Sequence, residues 1–158
     1  MKRLIAVIGP GSCSEEEWGR AFDVGAEIAR RGLGVVCGGL GGAMEAACRG
    51  CSEFGGECVG ILPGTDPSEG NAYLSLAIPT GMGEGRNVLV VRAGAGAVAV
   101  GGEYGTLSEI ALALKLGKPV VTLGGWSLQH PSGLGERLLR ADSAAEAVEL
   151  LLGALEGS

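Results

Sequence analysis

Short apolar runs alternate along the chain with segments in which apolar residues recur every three to four positions, the pattern of parallel strands joined by crossover helices. The first run is Leu4 to Ile8. Ser14 then opens a helix: with Glu17 it spells a capping box, Trp18, Phe22, Ala26 and Ala29 fall near four-residue spacing, and Gly32 stops it. A second strand, Gly34 to Cys37, enters the turn Gly38-Gly39-Leu40-Gly41-Gly42 and a helix from Ala43 to about Phe54. Cys58 to Leu62 reads as the third strand, Pro63 to Asn71 as a polar loop, Leu74 to Ile78 as a fourth apolar run, and a helix is expected from about Glu84. Ala97 to Val100 is uncharged on both faces, as a central parallel strand should be. Gly101 to Thr106 leads into a helix from Leu107 to Leu116, ended by Gly117 and Pro119. Val120 to Leu123 is a sixth strand, Arg137 to Arg140 a candidate seventh, and Ser143 with Glu146 opens the closing helix.

These elements predict an α/β fold: a single doubly wound Rossmann-like domain over residues 1–158, with a mostly parallel sheet of six or seven strands. Such a sheet binds ligands beyond the carboxyl ends of its strands, near the point where strand order reverses. Composition sharpens this. Glycine supplies 31 of 158 residues, against a usual share of roughly 7%, and the clusters after strands one, two and five all fall on that edge.

A net charge of −6 argues against a nucleic-acid partner or an anionic membrane surface, because either needs clustered Lys and Arg. Small anions stay available, since helix N-termini bind them through peptide N–H groups. No uncharged stretch is long enough to span a bilayer, and the short basic start feeds directly into a Gly-rich turn, so a cytoplasmic location is expected. Five cysteines, Cys13, Cys37, Cys48, Cys51 and Cys58, fit cytosolic thiols better than a disulfide framework. Cys48 and Cys51 form one CxxC without a second, and no metal site is expected; on a helix that spacing also marks one buried face.

Gly9-Pro10-Gly11-Ser12 lacks the full dinucleotide spacing, and there is no Walker A lysine. The turn from Gly38 through Gly39, Gly41 and Gly42 to Met44 puts unhindered amides at a helix start. In Gly101-Gly102-Glu103-Tyr104-Gly105-Thr106 the last residues begin a helix, so their amides and the Thr106 hydroxyl suit a phosphate. Thr106 and Glu109 also spell a capping box, and spacing alone leaves both readings open. For Arg86 the alternatives are a ligand contact and a surface pair with Glu84. Trp126 and His130 lie in the loop Gly124 to Gly135, where Trp126 either stacks on a base or covers the core rim. A lone His with no nucleophile elbow disfavours Ser-His-Asp catalysis.

Taken together, GGLGGAM, TGMGEGRN at Thr80 to Asn87 and GGEYGTLSE resemble the Rossmann-type group once mislabelled as lysine decarboxylases. That group holds the Lonely Guy phosphoribohydrolases and the molybdenum-cofactor carrier proteins. The resemblance spans nearly the whole chain. It places the phosphoribohydrolase Arg on Arg86 and its Gly-Gly-x-Gly-Thr-x-x-Glu element on Gly101, Gly102, Gly105, Thr106 and Glu109. Val100 stands where that branch has Pro, and Asn87 where it usually has Lys, so the likeness is closer to the carrier side.

The resemblance implies one of two activities. The first is hydrolysis of a nucleoside 5′-monophosphate to free base and ribose 5-phosphate. Arg86 and Glu109 would then be catalytic, Gly11, Ser12, Gly38, Gly39, Gly41, Gly42, Met44, Asn87, Gly101, Gly102, Gly105 and Thr106 would bind the ligand, and no cofactor would be required. The second is a binding protein holding molybdenum cofactor, or a related phosphorylated pterin or nucleotide, as cargo. Lysine decarboxylation is disfavoured because nothing around Lys115 or Lys118 suits pyridoxal phosphate. Helices apolar on more than one face, such as the one bearing Ile110 to Leu114, predict a homodimer or higher homo-oligomer.

Overall fold

The computed structural model describes residues 2–157; Met1 and Ser158, the ends of the expected domain, lie outside the described residues. In chain order the elements are β1 (Leu4–Ile8), α1 (Glu15–Arg30), β2 (Gly34–Cys37), α2 (Ala43–Glu53), β3 (Cys58–Leu62), β4 (Leu76–Pro79), α3 (Asn87–Ala93), β5 (Ala97–Val100), α4 (Tyr104–Lys115), β6 (Val120–Leu123), β7 (Leu138–Ala141) and α5 (Ala144–Glu156). The sheet runs β4-β3-β2-β1-β5-β6-β7, and every pairing is parallel rather than mostly so. Its strands are short, Val- and Ala-rich, and in β2, β5 and β6 buried at every position, which is what helices on both faces require.

The expected fourth run shifts to begin at Leu76, because Leu74 instead folds over Gly60 of β3, where a Cβ would lie 2.6 Å from its Cδ1. Pro79 is tolerated there because β4 is an edge strand. The helix expected from Glu84 divides into a 3-10 turn, Gly83–Arg86, and α3. At the far edge β7 starts one residue late, after a 3-10 turn that ends at Arg137.

Helices α1, α2 and α5 cover one face and α3 and α4 the other, giving two apolar layers. The capping box at Ser14 forms: its Oγ accepts the Glu17 N–H and Glu17 Oε1 accepts the Ser14 N–H, both at 3.1 Å. Helices α1 and α2 touch backbone to backbone. A Cβ on Gly25 would lie on the Ala47 carbonyl, and one on Gly50 on the Phe22 carbonyl. Lys118 closes the end of α3, its Nζ donating to the carbonyls of Val91, Arg92 and Gly94 at 2.8, 2.6 and 2.6 Å.

Cys48 and Cys51 occupy the inner face of α2, where with Cys37 and Cys58 they are fully buried; the Cys37 and Cys48 sulfurs lie 3.5 Å apart. The hydrogen bond with Cys48, and after it burial, push the Cys37 thiol well above the usual thiol range. Among the described residues no group of three or more His, Cys, Asp or Glu is arranged for a metal ion, and no helix is long and apolar enough to cross a membrane.

The chain leaves β1 for β2 on one side and returns from β4 to β5 on the other. The carboxyl ends of β1 and β5 therefore flank the crevice where a doubly wound sheet takes its ligand.

Candidate functional site

Two adjoining spaces occupy this crevice, meeting at Gly9. A groove of about 370 Å³ runs between Gly9, Pro10, Gly11 and Ser12 after β1 and Glu103, Gly105 and Thr106 after β5. It lies near the lower end of the roughly 300–1,000 Å³ usual for small-molecule sites. Beside it, a recess of about 60 Å³ is lined by Val7, Ile8, Gly9, Gly38, Met44, Arg86, Asn87 and Glu109.

Arg86 is 9% exposed and does not pair with Glu84. Its guanidinium lies at the carboxyl ends of β2 and β3, Nε donating to the Ile61 carbonyl at 2.9 Å, Nη2 to the Gly38 carbonyl at 3.4 Å and Nη1 to the Asn87 side-chain oxygen. All three acceptors are neutral, so a buried positive charge stands at the recess without a bonded counter-charge. Gly38 has to be glycine for this: a Cβ would lie 2.6 Å from Arg86 Nη2 and 2.8 Å from Met44 Sδ.

Helix α4 starts at Tyr104 with Glu103 as its N-cap and no capping side chain. The Thr106–Glu109 box therefore does not form, because Thr106 is already the third helical residue and Glu109 projects into the recess. The first peptide N–H groups of α4 open toward the groove, and a Cβ on Gly105 would meet nothing within 4 Å. Helix α2 likewise has no side-chain cap, but its Ala43 N–H donates to the Pro10 carbonyl at 2.9 Å.

The other glycines divide by role. Gly42, at φ +63°, lets α2 meet the Pro10–Gly11 backbone, and the Gly39 carbonyl accepts the Asn71 N–H at 2.9 Å, so both join loops together. Gly41 faces the Gly11 carbonyl at an ordinary distance. Gly101 and Gly102, at φ +54° and +92°, are tight against Glu17 and Thr106 respectively. Glu17 of α1 reaches this turn, and its Oε2 accepts the Gly102 N–H at 3.4 Å. At the rim the exposed Tyr104 ring lies 6.1 Å from Trp126, whose indole N–H donates to the Glu103 carbonyl at 3.0 Å.

The profile of the SLOG cluster4 family (LDcluster4) matches residues 2–149. The chain belongs to this family. The molybdenum cofactor binding protein of Rippkaea orientalis is 33% identical, with 98% of each chain covered and a TM-score of 0.91. The molybdenum cofactor carrier protein of Chlamydomonas reinhardtii is 32% identical over 99% of this chain and 100% of that one, with a TM-score of 0.85. An uncharacterized protein of Archaeoglobus fulgidus is 46% identical over 119 residues, 75% of this chain and 78% of its own. These neighbours fit the carrier-like branch that the motifs resemble.

In this SLOG cluster4 member, burial raises the Glu109 carboxyl to about 7, against the lowering pull of Arg86. The folded protein then holds a proton that the unfolded chain releases near pH 4.5, so stability declines as pH rises from about 4.5 to about 7 and levels off above. Allowing for the partial exposure of the carboxyl, the loss is on the order of 2 kcal/mol. Urea unfolding at pH 5 and pH 8 should show it in the wild type, with the difference absent in Glu109→Gln.

Sequence reasoning missed two carboxylates near the candidate site: Glu103, which lines the groove, and Glu17, which reaches the Gly101–Gly102 turn. Glu17 was accounted for by its capping box, and Glu103 carries no local signal beyond its place between glycines.

Proposed function

We propose that the crevice binds a small phosphorylated molecule carrying a ring system, and that the protein is a carrier holding molybdenum cofactor or a related phosphorylated pterin without turnover. The observation that carries the reading is the buried Arg86 charge, satisfied by neutral acceptors alone and open to the recess. Negative charge on a ligand in the adjoining groove would complement this guanidinium, which otherwise faces only the Glu109 carboxyl across the recess. The phosphoryl group would lie on the Gly105 and Thr106 amides at the positive end of α4, with Gly11 and Ser12 as the opposite wall. The ring would extend toward Gly38, Met44 and Asn87. Peptide N–H groups and a guanidinium suit a phosphate, so the cargo would be held by its phosphate and ring. The carrier relatives, matched over nearly their whole length, support this choice.

Hydrolysis of a nucleoside 5′-monophosphate at the same place is the second reading, favoured by Glu109 facing the Arg86 recess with its carboxyl at about 7. Glu109 would activate water or stabilise positive charge on the ribose, and Arg86 would hold the leaving side. The exposed Val88 and Leu89 of α3 support a homodimer on the α3–α4 side.

The deciding experiment incubates the protein with AMP, N6-substituted AMP and a phosphorylated pterin, followed by chromatography. A carrier returns each ligand intact and retains the pterin. Release of free base that disappears in Glu109→Gln would replace the carrier reading with the hydrolase.

A further inference from the structure

The turn after β5 carries a feature that the proposed ligand site does not explain. Glu17 belongs to α1, yet its carboxylate spans two elements: Oε1 accepts the Ser14 N–H, and Oε2 accepts the Gly102 N–H. A Cβ on Gly101 would collide with the same oxygen. The Gly101 N–H is used by the Leu123 carbonyl, and the Gly102 N–H, a natural partner for an incoming oxyanion, is met by an anion belonging to the protein. Glu103, on the groove wall two residues before Gly105, adds a second negative charge on that side.

We infer that Glu17 is a specificity-determining residue that keeps free oxyanions out of the groove. This rests on the phosphoryl-binding reading above. A bare phosphate or sulfate would gain only the Gly105 and Thr106 amides, beside the turn whose Gly102 N–H the Glu17 carboxylate already occupies. Repulsion from that carboxylate offsets what two amide hydrogen bonds return. A phosphoryl group carried on a larger body has further contacts in the Arg86 recess, and these offset the repulsion. Glu17 therefore separates a phosphorylated ligand from the inorganic phosphate and sulfate of its surroundings.

Inorganic phosphate and AMP titrated calorimetrically into wild type, Glu17→Gln, Glu17→Ala and Ser14→Ala test this. Gln keeps the capping geometry without the charge, Ala frees the Gly102 amide, and Ser14→Ala weakens the same cap while leaving the carboxylate. Expected is a gain in inorganic phosphate affinity of at least about tenfold in both Glu17 variants, none in Ser14→Ala, and a smaller gain for AMP. Thermal melts establish that each variant is folded. Equal phosphate affinity in wild type and both Glu17 variants overturns the assignment of Glu17 and leaves the groove standing. If neither wild type nor the Glu17 variants take up phosphate or AMP, the phosphoryl groove itself is wrong, and the role of Glu17 falls with it.

Discussion

Arg86→Met is expected to weaken phosphoryl-ligand binding by about a hundredfold or more while leaving the protein folded. Truncating one member of a buried, hydrogen-bonded charge pair costs roughly 2–5 kcal/mol of affinity, and each 1.4 kcal/mol is a factor of ten. On the proposed reading the ligand's negative charge is the other member of that pair, since the carbonyls of Ile61 and Gly38 and the side-chain oxygen of Asn87 carry no charge and Glu109 is held partly protonated. Stability should move much less. Removing a buried charge that Glu109 compensates only in part is favourable and orphaning two carbonyls is unfavourable, each on the order of 1–3 kcal/mol. Calorimetric titration with AMP beside urea unfolding separates the two quantities, and unchanged affinity would remove Arg86 from the site.

Gly25→Ala should destabilise the fold by about 2–4 kcal/mol, although helix propensity alone predicts a gain of about 1 kcal/mol. The new methyl would fall on the Ala47 carbonyl, a backbone atom that cannot rotate away, so α1 and α2 must separate. Gly50→Ala meets the Phe22 carbonyl in the same contact, and once the helices have moved apart the second change costs less. Gly153 of α5 supplies the control: a Cβ there meets nothing within 4 Å, so Gly153→Ala should stabilise by a few tenths to 1 kcal/mol. Urea unfolding of the four variants checks all of this, and a stabilising Gly25→Ala would contradict the close helix contact.

The sheet was legible because its inner strands are uncharged runs of four or five residues. β1, β2, β3, β5 and β6 begin and end where the apolar pattern places them. Edge strands β4 and β7 shift by one or two residues, since each has exposed positions and a weaker pattern. The glycine turns were legible as a group because topology sends them to one edge. Their individual duties were not: Gly39 and Gly42 join loops, whereas Gly105 has open space beside it. Glu109 shows the limit of spacing arguments. Thr106-x-x-Glu109 fits a cap, but α4 begins at Tyr104 and turns that carboxyl inward. The Glu17 contact with Gly102 joins residues remote in sequence, and no local pattern encodes it.

The parallel order of the sheet also bears on how the chain is made. β1 pairs with β2 early, but its other neighbour is β5, aligned Ala6 to Ala97, so nearly two-thirds of the polypeptide must leave the ribosome before that edge is covered. Until then an apolar strand destined for the centre of the molecule presents an open row of peptide groups to other nascent chains. The ligand crevice is assembled by that same late pairing, so a chain truncated before β5 would have neither the crevice nor a protected edge and should be a preferred client of chaperones.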